Sequence, residues 1–567
     1  MRPIDWVVLA SWLTFIVAWG VWRGGRSRTI DGFLLAGREM RWGTVALSIM
    51  ATQASAITFL STPGQAYADG MRFVQFYLGL PLAMIVLSIV AVPLYHRLRV
   101  FTAYEFLEGR FDLKTRVLTA SLFLVQRGLA AGLTIYAPSL ILSVMLGWDI
   151  RLTIAIIGGL VVIYTTSGGT RAVSRTHTLQ AAVILVGMAA ALVVLIRSLP
   201  PGVSYLDALH VAGAAGRLNA IDASFSLTDR YTLWSGLIGG FFLALSYFGT
   251  DQSQVQRYLT GRSIGESRMG LLINGVVKVP MQFGVLLIGA SVFAFYQFVR
   301  PPIFFNPVEA ARVRASASGE RFTSLESEYA DATQQRATAA RQLADAFEAG
   351  DPAREVTARQ GWAEADARTT AVRRQAVGLI TATDPRANPS DTNYVFLSFV
   401  LHQLPAGLVG LLLAAVFAAA MNSTSAELNA LAATTAVDIY RRLVAADASE
   451  RHLVRVSRLA TVFWGAFAVL FAEFANRLGS LVEAVNILGS LFYGTILGIF
   501  LLAFSRRRPS GTAVFVAAVL AEAAVVACYA LTSLSFLWYN VVGCAAVIVG
   551  ALALYPLLGR GQTSRTT

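Results

Sequence analysis

Residues 405–440 read PAGLVGLLLAAVFAAAMNSTSAELNALAATTAVDIY. The stretch is apolar for long enough to cross a bilayer, yet Asn422, Ser423, Thr424, Ser425 and Glu427 interrupt it. In hydrocarbon each unpaired polar group costs several kcal/mol, so such a cluster persists only where something binds to it. The small residues Ala418, Ala419, Ala420 and Ala426 leave room for another helix or for an ion. The segment reads as a transport helix rather than a passive anchor.

Around it lies a 567-residue chain with a mean hydropathy of +0.60 and 14% charged residues. A soluble protein would carry about a quarter. Apolar runs of about 20 residues, each enough for about 30 Å of hydrocarbon, recur through the sequence. About thirteen spans are expected: 3–22, 43–66, 73–96, 117–146, 151–167, 177–198, 231–250, 269–299, 405–432, 453–477, 480–504, 511–533 and 537–557, numbered here in that order. With the N-terminus outside, the inward loops and tail hold most of the basic residues, including Arg23, Arg26, Arg28, Arg97, Arg99, Lys114, Arg441, Arg442 and Arg506 to Arg508. Outward connections hold few, such as Arg72, Arg151, Arg217 and Arg230. That asymmetry is the positive-inside rule. The net charge of +13 therefore reads as orientation in a lipid bilayer and gives no case for nucleic acid. Cys528 and Cys544 both sit in apolar runs and suggest no disulfide framework, redox site or zinc site. The first run lacks a basic n-region and a cleavage site, so it is expected to be retained. The Ala/Arg-rich composition suggests a multi-pass protein of a bacterial inner membrane.

Residues 1–302 and 391–567 form the two parts of a transmembrane core. Between them, 303–390 is polar and rich in Ala, Arg, Glu and Gln. The stretches 324–349 and 354–379 favour helix, and Gly350-Asp351-Pro352 breaks them. A helical hairpin projecting on the outer side is expected, either as a solvated insertion or as a docking surface for a protein partner.

Two spans are interrupted as anchors are not. Span 2 contains ATQASAITFLSTPG, and span 7, WSGLIGGFFLALSYFGTDQ, gathers Gly236, Gly239, Gly240 and Gly249 before Asp251. If spans 2–6 and 7–11 are the two halves, these occupy equivalent positions. Each half then has an odd number of spans, which makes the repeats inverted. Interrupted segments in corresponding positions mark the binding site of such a transporter.

From about residue 30 to 505 the chain resembles the sodium:solute symporter family. The motifs are FLLAGREMRWG at 33–43, TFLSTPGQAYADG at 58–70, TAYEFLEGRF at 102–111, YAPSLILSVMLG at 136–147, YTTSGGTRAVSRTHTLQ at 164–180, DQSQVQRYLTGRS at 251–263 and LPAGLVGLLLAAVFAAAMNS at 404–423. YAPSL and VQRYL look most like the branch of the monocarboxylate, multivitamin and iodide symporters. The resemblance implies an all-α, leucine-transporter-like five-plus-five inverted repeat with alternating access. It also implies a sodium ion between spans 2 and 9, held by the carbonyls of Ala51, Ala54 and Ala419 and the side chains of Asn422 and Ser423. Asn422 stands where the family commonly has a hydroxyl. The same small residues also suit plain helix packing.

Where the family usually reads Thr-Asp, this chain has Thr176-His177, and Ala426 replaces a hydroxyl. A second sodium bound in the family's manner is therefore not expected. Glu427 introduces a carboxylate instead. His177, Ser425 and Glu427 are candidates for a second cation or proton site, with His177 facing Glu427. Histidine's ordinary pKa of about 6.5 would let such a pair titrate near neutrality. A structural ion pair is the alternative.

Candidate substrate residues are Gln53, Ser55, Thr58, Tyr77, Arg127, Asp251 and Lys278. Thr58 and Tyr77 replace the Gln and Glu of sugar-carrying relatives, which removes partners a sugar needs. An Arg at membrane depth requires an anion, either the substrate or a protein carboxylate. Arg127 is therefore read as a clamp for an organic anion, or else as the partner of Asp251 or Glu483. Glu483 and Asn486 suggest packing or a gate at the outer vestibule.

The function expected is sodium-driven symport of a small organic solute, an organic anion before a sugar. A proton-coupled symporter and a transporter-like sensor working through a separate partner are the alternatives. No HExxH, GxSxG or paired-aspartate motif in a span speaks for an enzyme.

Overall fold

With no water in the bilayer core, each backbone N–H and C=O must be paired within its own segment, and helices are the result. The computed structural model describes residues 2–24, 38–53, 55–385, 387–475, 478–505 and 509–558, except the side chains of 16, 17, 19–24 and 167–181. Eight helices in it are long and apolar enough to cross a membrane: Met71–Leu98, Leu113–Leu146, Ile264–Phe298, Leu408–Leu443, Glu450–Ala472, Leu481–Phe504, Gly511–Leu531 and Phe536–Leu558. The bent pair Trp42–Gln53 and Ala56–Asp69 adds a ninth, and Pro3–Phe15, Ile150–Thr166, Ala182–Arg197 and Ser235–Gly249 are shorter apolar helices. Each expected span has a counterpart among them.

Span 2 is broken near its middle and span 7 near its C-terminal end. The two halves of span 2 meet at 58°. Ser55 begins the second half in an extended conformation, and the Thr58 hydroxyl donates to the Gln53 carbonyl at 3.0 Å across the break. Span 7 starts as a π-helical turn, Ser235–Gly239, and runs on through Gly240–Gly249. It stops at Thr250–Asp251 and resumes as Gln252–Tyr258, whose first turn Asp251 caps by accepting from the Ser253 N–H at 2.8 Å. Gly236 is required by close approach, since a Cβ there would lie 2.0 Å from the Gln75 carbonyl oxygen of span 3.

The polar insertion folds as Gly319–Glu348 paired with Pro352–Thr383. It does not project free of the core. Leu343 and Trp362 pack with Val211 of the helix Tyr205–Ala214 and with Phe293 and Phe298 at the end of span 8. The apolar stripe on the hairpin explains this, because exposed it would cost about 25 cal/mol per Å². At the hairpin's base Arg373 reaches both carboxylate oxygens of Asp391 at 2.6 Å. Asp391 immediately precedes the helix Thr392–Gln403, which packs on the second half of span 2. There Gly64 is required: a Cβ would sit 1.9 Å from the Thr392 carbonyl oxygen.

Candidate functional site

The broken middle of span 2, the unbroken span 9 and spans 3, 4, 7, 8 and 11 enclose one cavity of about 130 Å³. Span 2 contributes Thr52, Gln53, Ser55 and Thr58, span 3 Tyr77, span 4 Arg127 and Thr134, and span 8 Lys278. Span 9 contributes Ser423 and Glu427, and span 11 Asn486 and Tyr493. The break itself supplies the polarity, because a helix interrupted at Ser55 turns side chains and unwound backbone toward the same space. Gln53 is fixed by donating to Asn274 Oδ1 at 3.0 Å and to the Ile49 carbonyl at 3.2 Å. Asn274 lies one turn before Lys278 on span 8.

The charges on the cavity wall divide into two sorts. Arg127, 3% exposed, is already engaged. It pairs with Asp251, donates to Tyr493 Oη at 2.7 Å and reaches Glu427 Oε1 at 3.1 Å. Thr134 Oγ1 donates to the other Glu427 oxygen at 2.8 Å, and Tyr493 Oη donates to Asp251 at 2.9 Å. The reading of Arg127 as a free clamp is thereby corrected: two carboxylates neutralise it inside the protein. Asp251 is likewise not on the cavity surface, being occupied by Arg127, Tyr493 and the cap of Gln252–Tyr258. Lys278 is the other sort. It is 2% exposed, its Nζ lies 5.7 Å from the Tyr77 ring centre, and it pairs with no carboxylate among the described residues.

At the crossing of spans 2 and 9, Ala51, Ala419, Asn422 and Ser423 are all buried. Ser423 Oγ donates to the Ala419 carbonyl at 3.1 Å, which leaves its oxygen lone pairs available. Ser423 shares the cavity with Thr52, Gln53 and Ser55, so the two helices leave open space between them there. Oxygen donors of this kind suit a hard monovalent cation. Ala54 lies outside the described residues, as does the side chain of His177. Ser425 is fully buried, and its Oγ has no partner among the described residues. Glu427 faces Arg127 and Thr134 on span 4, while the partner expected for it, His177, has its side chain outside the described residues. Successive helix residues point about 100° apart, so Glu427 addresses a different neighbour from Ala426.

Thr134, Asn274 and Tyr493 were not singled out from sequence. A lone Thr or Tyr in an apolar run gives no positional signal, and only the need of Glu427 and Asp251 for donors would have pointed to them. Glu483, by contrast, sits at the outer end of span 11, accepting from Arg230 at 2.9 Å and Tyr231 at 2.5 Å.

Two broken helices that both line one polar cavity within a bundle of membrane-spanning helices are the arrangement of a secondary transporter working by alternating access. The chain belongs to the sodium:solute symporter family, whose model matches residues 33–321 and 379–521. The gap between those two matches falls within the hairpin. Among relatives, sodium-coupled monocarboxylate transporter 1 of Homo sapiens is 27% identical over 88% of this chain and 68% of its own. The sodium-dependent multivitamin transporter of Oryctolagus cuniculus is 28% identical over 90% and 68%. The sodium/sialic acid symporter NanT of Aliivibrio fischeri is 25% identical over 99% and 94%. A solved Na+-coupled sialic acid symporter, in a substrate-bound outward-open state, superposes with a TM-score of 0.74 at 23% identity, covering 98% of each chain. That likeness establishes the fold, the leucine-transporter-like arrangement. The protein is a multi-pass membrane transporter that couples sodium to the movement of a small solute, and it is not an enzyme.

Proposed function

We propose that the protein carries a small organic anion, with Lys278 as the group that receives its carboxylate. The observation behind this reading is the contrast between the two cavity cations. Arg127 is neutralised by Asp251 and Glu427, whereas Lys278 lines the cavity beside the Tyr77 ring with no carboxylate paired to it among the described residues. A buried ammonium without a counter-charge is costly, and a bound carboxylate removes that cost. Names among the relatives include a monocarboxylate transporter, which agrees.

The sodium ion is assigned to the crossing of spans 2 and 9, with Ser423 and Asn422 as side-chain ligands and Ala51, Ala54 and Ala419 as carbonyl ligands. Holding the broken span 2 against span 9 would fix Gln53, Ser55 and Thr58 around the solute. When the ion leaves, that restraint is lost and the solute is released. Glu427 is already bonded to Arg127 and Thr134, and this speaks against proton coupling through a His177–Glu427 pair. The insertion is read as an outer-side element that braces the helix Thr392–Gln403.

Uptake into proteoliposomes tests the reading. Radiolabelled propionate should accumulate under an inward sodium gradient and fail to do so when sodium is replaced by choline, while glucose stays at background in both. Sodium-driven uptake of glucose with no response to propionate would contradict it.

A further inference from the structure

The helix Gln252–Tyr258 continues span 7 beyond its break, toward the segment where Met40 pairs its backbone with Thr260 and Arg262. It carries Arg257, a fully buried side chain with 0% exposure. Among the described residues neither terminal nitrogen of that guanidinium has a hydrogen-bond partner, and Nε reaches the Ser253 carbonyl of its own helix, at 3.4 Å. No carboxylate among the described residues pairs with it. An uncompensated buried charge costs several kcal/mol. Arginine is also the residue whose planar fork suits an anion best.

The two helices packed against Gln252–Tyr258 are the first half of span 2 and span 9, which also touch each other. Both carry buried polar side chains without partners among the described residues: Ser48 Oγ on the former, Ser425 Oγ and both amide atoms of Asn429 on the latter. Hydroxyl and amide N–H groups are donors to anions. Ser48 Oγ, Ser425 Oγ and Asn429 Nδ2, on the two helices packed against the one that carries Arg257, are such donors without partners among the described residues, and an anion beside the guanidinium is the kind of ligand that they and it would satisfy.

We propose that this junction binds a small monovalent anion, with Arg257 as its cationic anchor. The anion is either chloride or the carboxylate of the solute on its way through. The site is separate from the cavity that Lys278 lines, and the assignment does not depend on how the sodium ion is held.

Thermal unfolding of the purified full-length protein in detergent, at fixed sodium, distinguishes the cases. Chloride exchanged stepwise for gluconate is one arm, and propionate added in gluconate is the other. The expected result is a saturable rise of about 2–4 °C with one of the two anions. Arg257→Met should lose the response, and Arg257→Lys should keep it at about tenfold higher anion concentration, one weakened charge-assisted contact. A response to chloride alone names an inorganic ion, and a response to propionate alone names the transported carboxylate. Because propionate also reaches the Lys278 cavity, its shift counts only if Lys278→Gln retains it and Arg257→Met does not. If neither anion shifts wild type, or if Arg257→Met responds like wild type, the proposal fails. Failure here leaves the sodium-driven uptake above untouched, so the two readings are judged separately.

Discussion

Arg127 on span 4 is ion-paired with Asp251, the residue at the break of span 7. The pair fastens an uninterrupted helix to an interrupted one, and Tyr493 of span 11 bonds to both partners. Because Glu427 shares the same guanidinium, three helices are tied through one side chain. Both terminal nitrogens of Arg127, the fork a carboxylate clamp would use, are thereby spent on the protein's own groups.

Arg127→Gln is therefore expected to destabilise the fold as a whole. It leaves Asp251 and Glu427 buried without their cation, a loss of about 3–5 kcal/mol. Transport of every solute should fall together. A thermal melt, with uptake of one anionic and one neutral solute, checks this. Selective loss of the anion with an unchanged melting temperature would return Arg127 to the substrate.

Lys278→Gln should behave in the opposite way. The cavity keeps its shape and loses a cation that no carboxylate among the described residues neutralises. Half-saturation for propionate should rise about tenfold to a hundredfold, the worth of one charge-assisted hydrogen bond. Thermal stability should hold or improve, because a buried charge has been removed. Competition binding against the radiolabelled acid measures it.

Arg373 tests the hairpin's role. Its contact with Asp391 anchors the start of Thr392–Gln403, which lies on the second half of span 2. Arg373→Ala should lower stability by about 1–3 kcal/mol, since Asp391 is left with little beyond the Phe305 N–H. The exposed neighbour Arg374, replaced likewise, serves as the control and should change little. Equal melting temperatures for the two variants would remove the bracing function.

The spans and their order were legible because lipid enforces long apolar runs, and the breaks because Ser55 and Asp251 stand where such runs should continue. Much of the cavity's lining was legible as well: Thr52, Gln53, Ser55 and Thr58 lie on a helix whose interruption advertises polarity, and Ser423 and Glu427 are polar residues in an otherwise apolar run. The pairings were legible only as alternatives. Arg127 was readable as a clamp for an anion or as the partner of Asp251 or Glu483, and because Arg127 and Asp251 lie 124 residues apart in sequence only packing decides between them. Glu427 likewise finds its partners by the rotation of span 9 against span 4, a packing outcome that single-helix patterning does not contain. Arg257 was visible only as part of a motif, and its lack of partners is a property of three packed helices.

The central claim is that a sodium ion bridges the broken span 2 and span 9 through Ser423. Binding of radioactive sodium to the purified protein, wild type against Ser423→Ala, addresses it most directly. Saturable binding in wild type that weakens about tenfold or more when the hydroxyl is removed is the predicted result. Identical sodium affinity in the two proteins would contradict it.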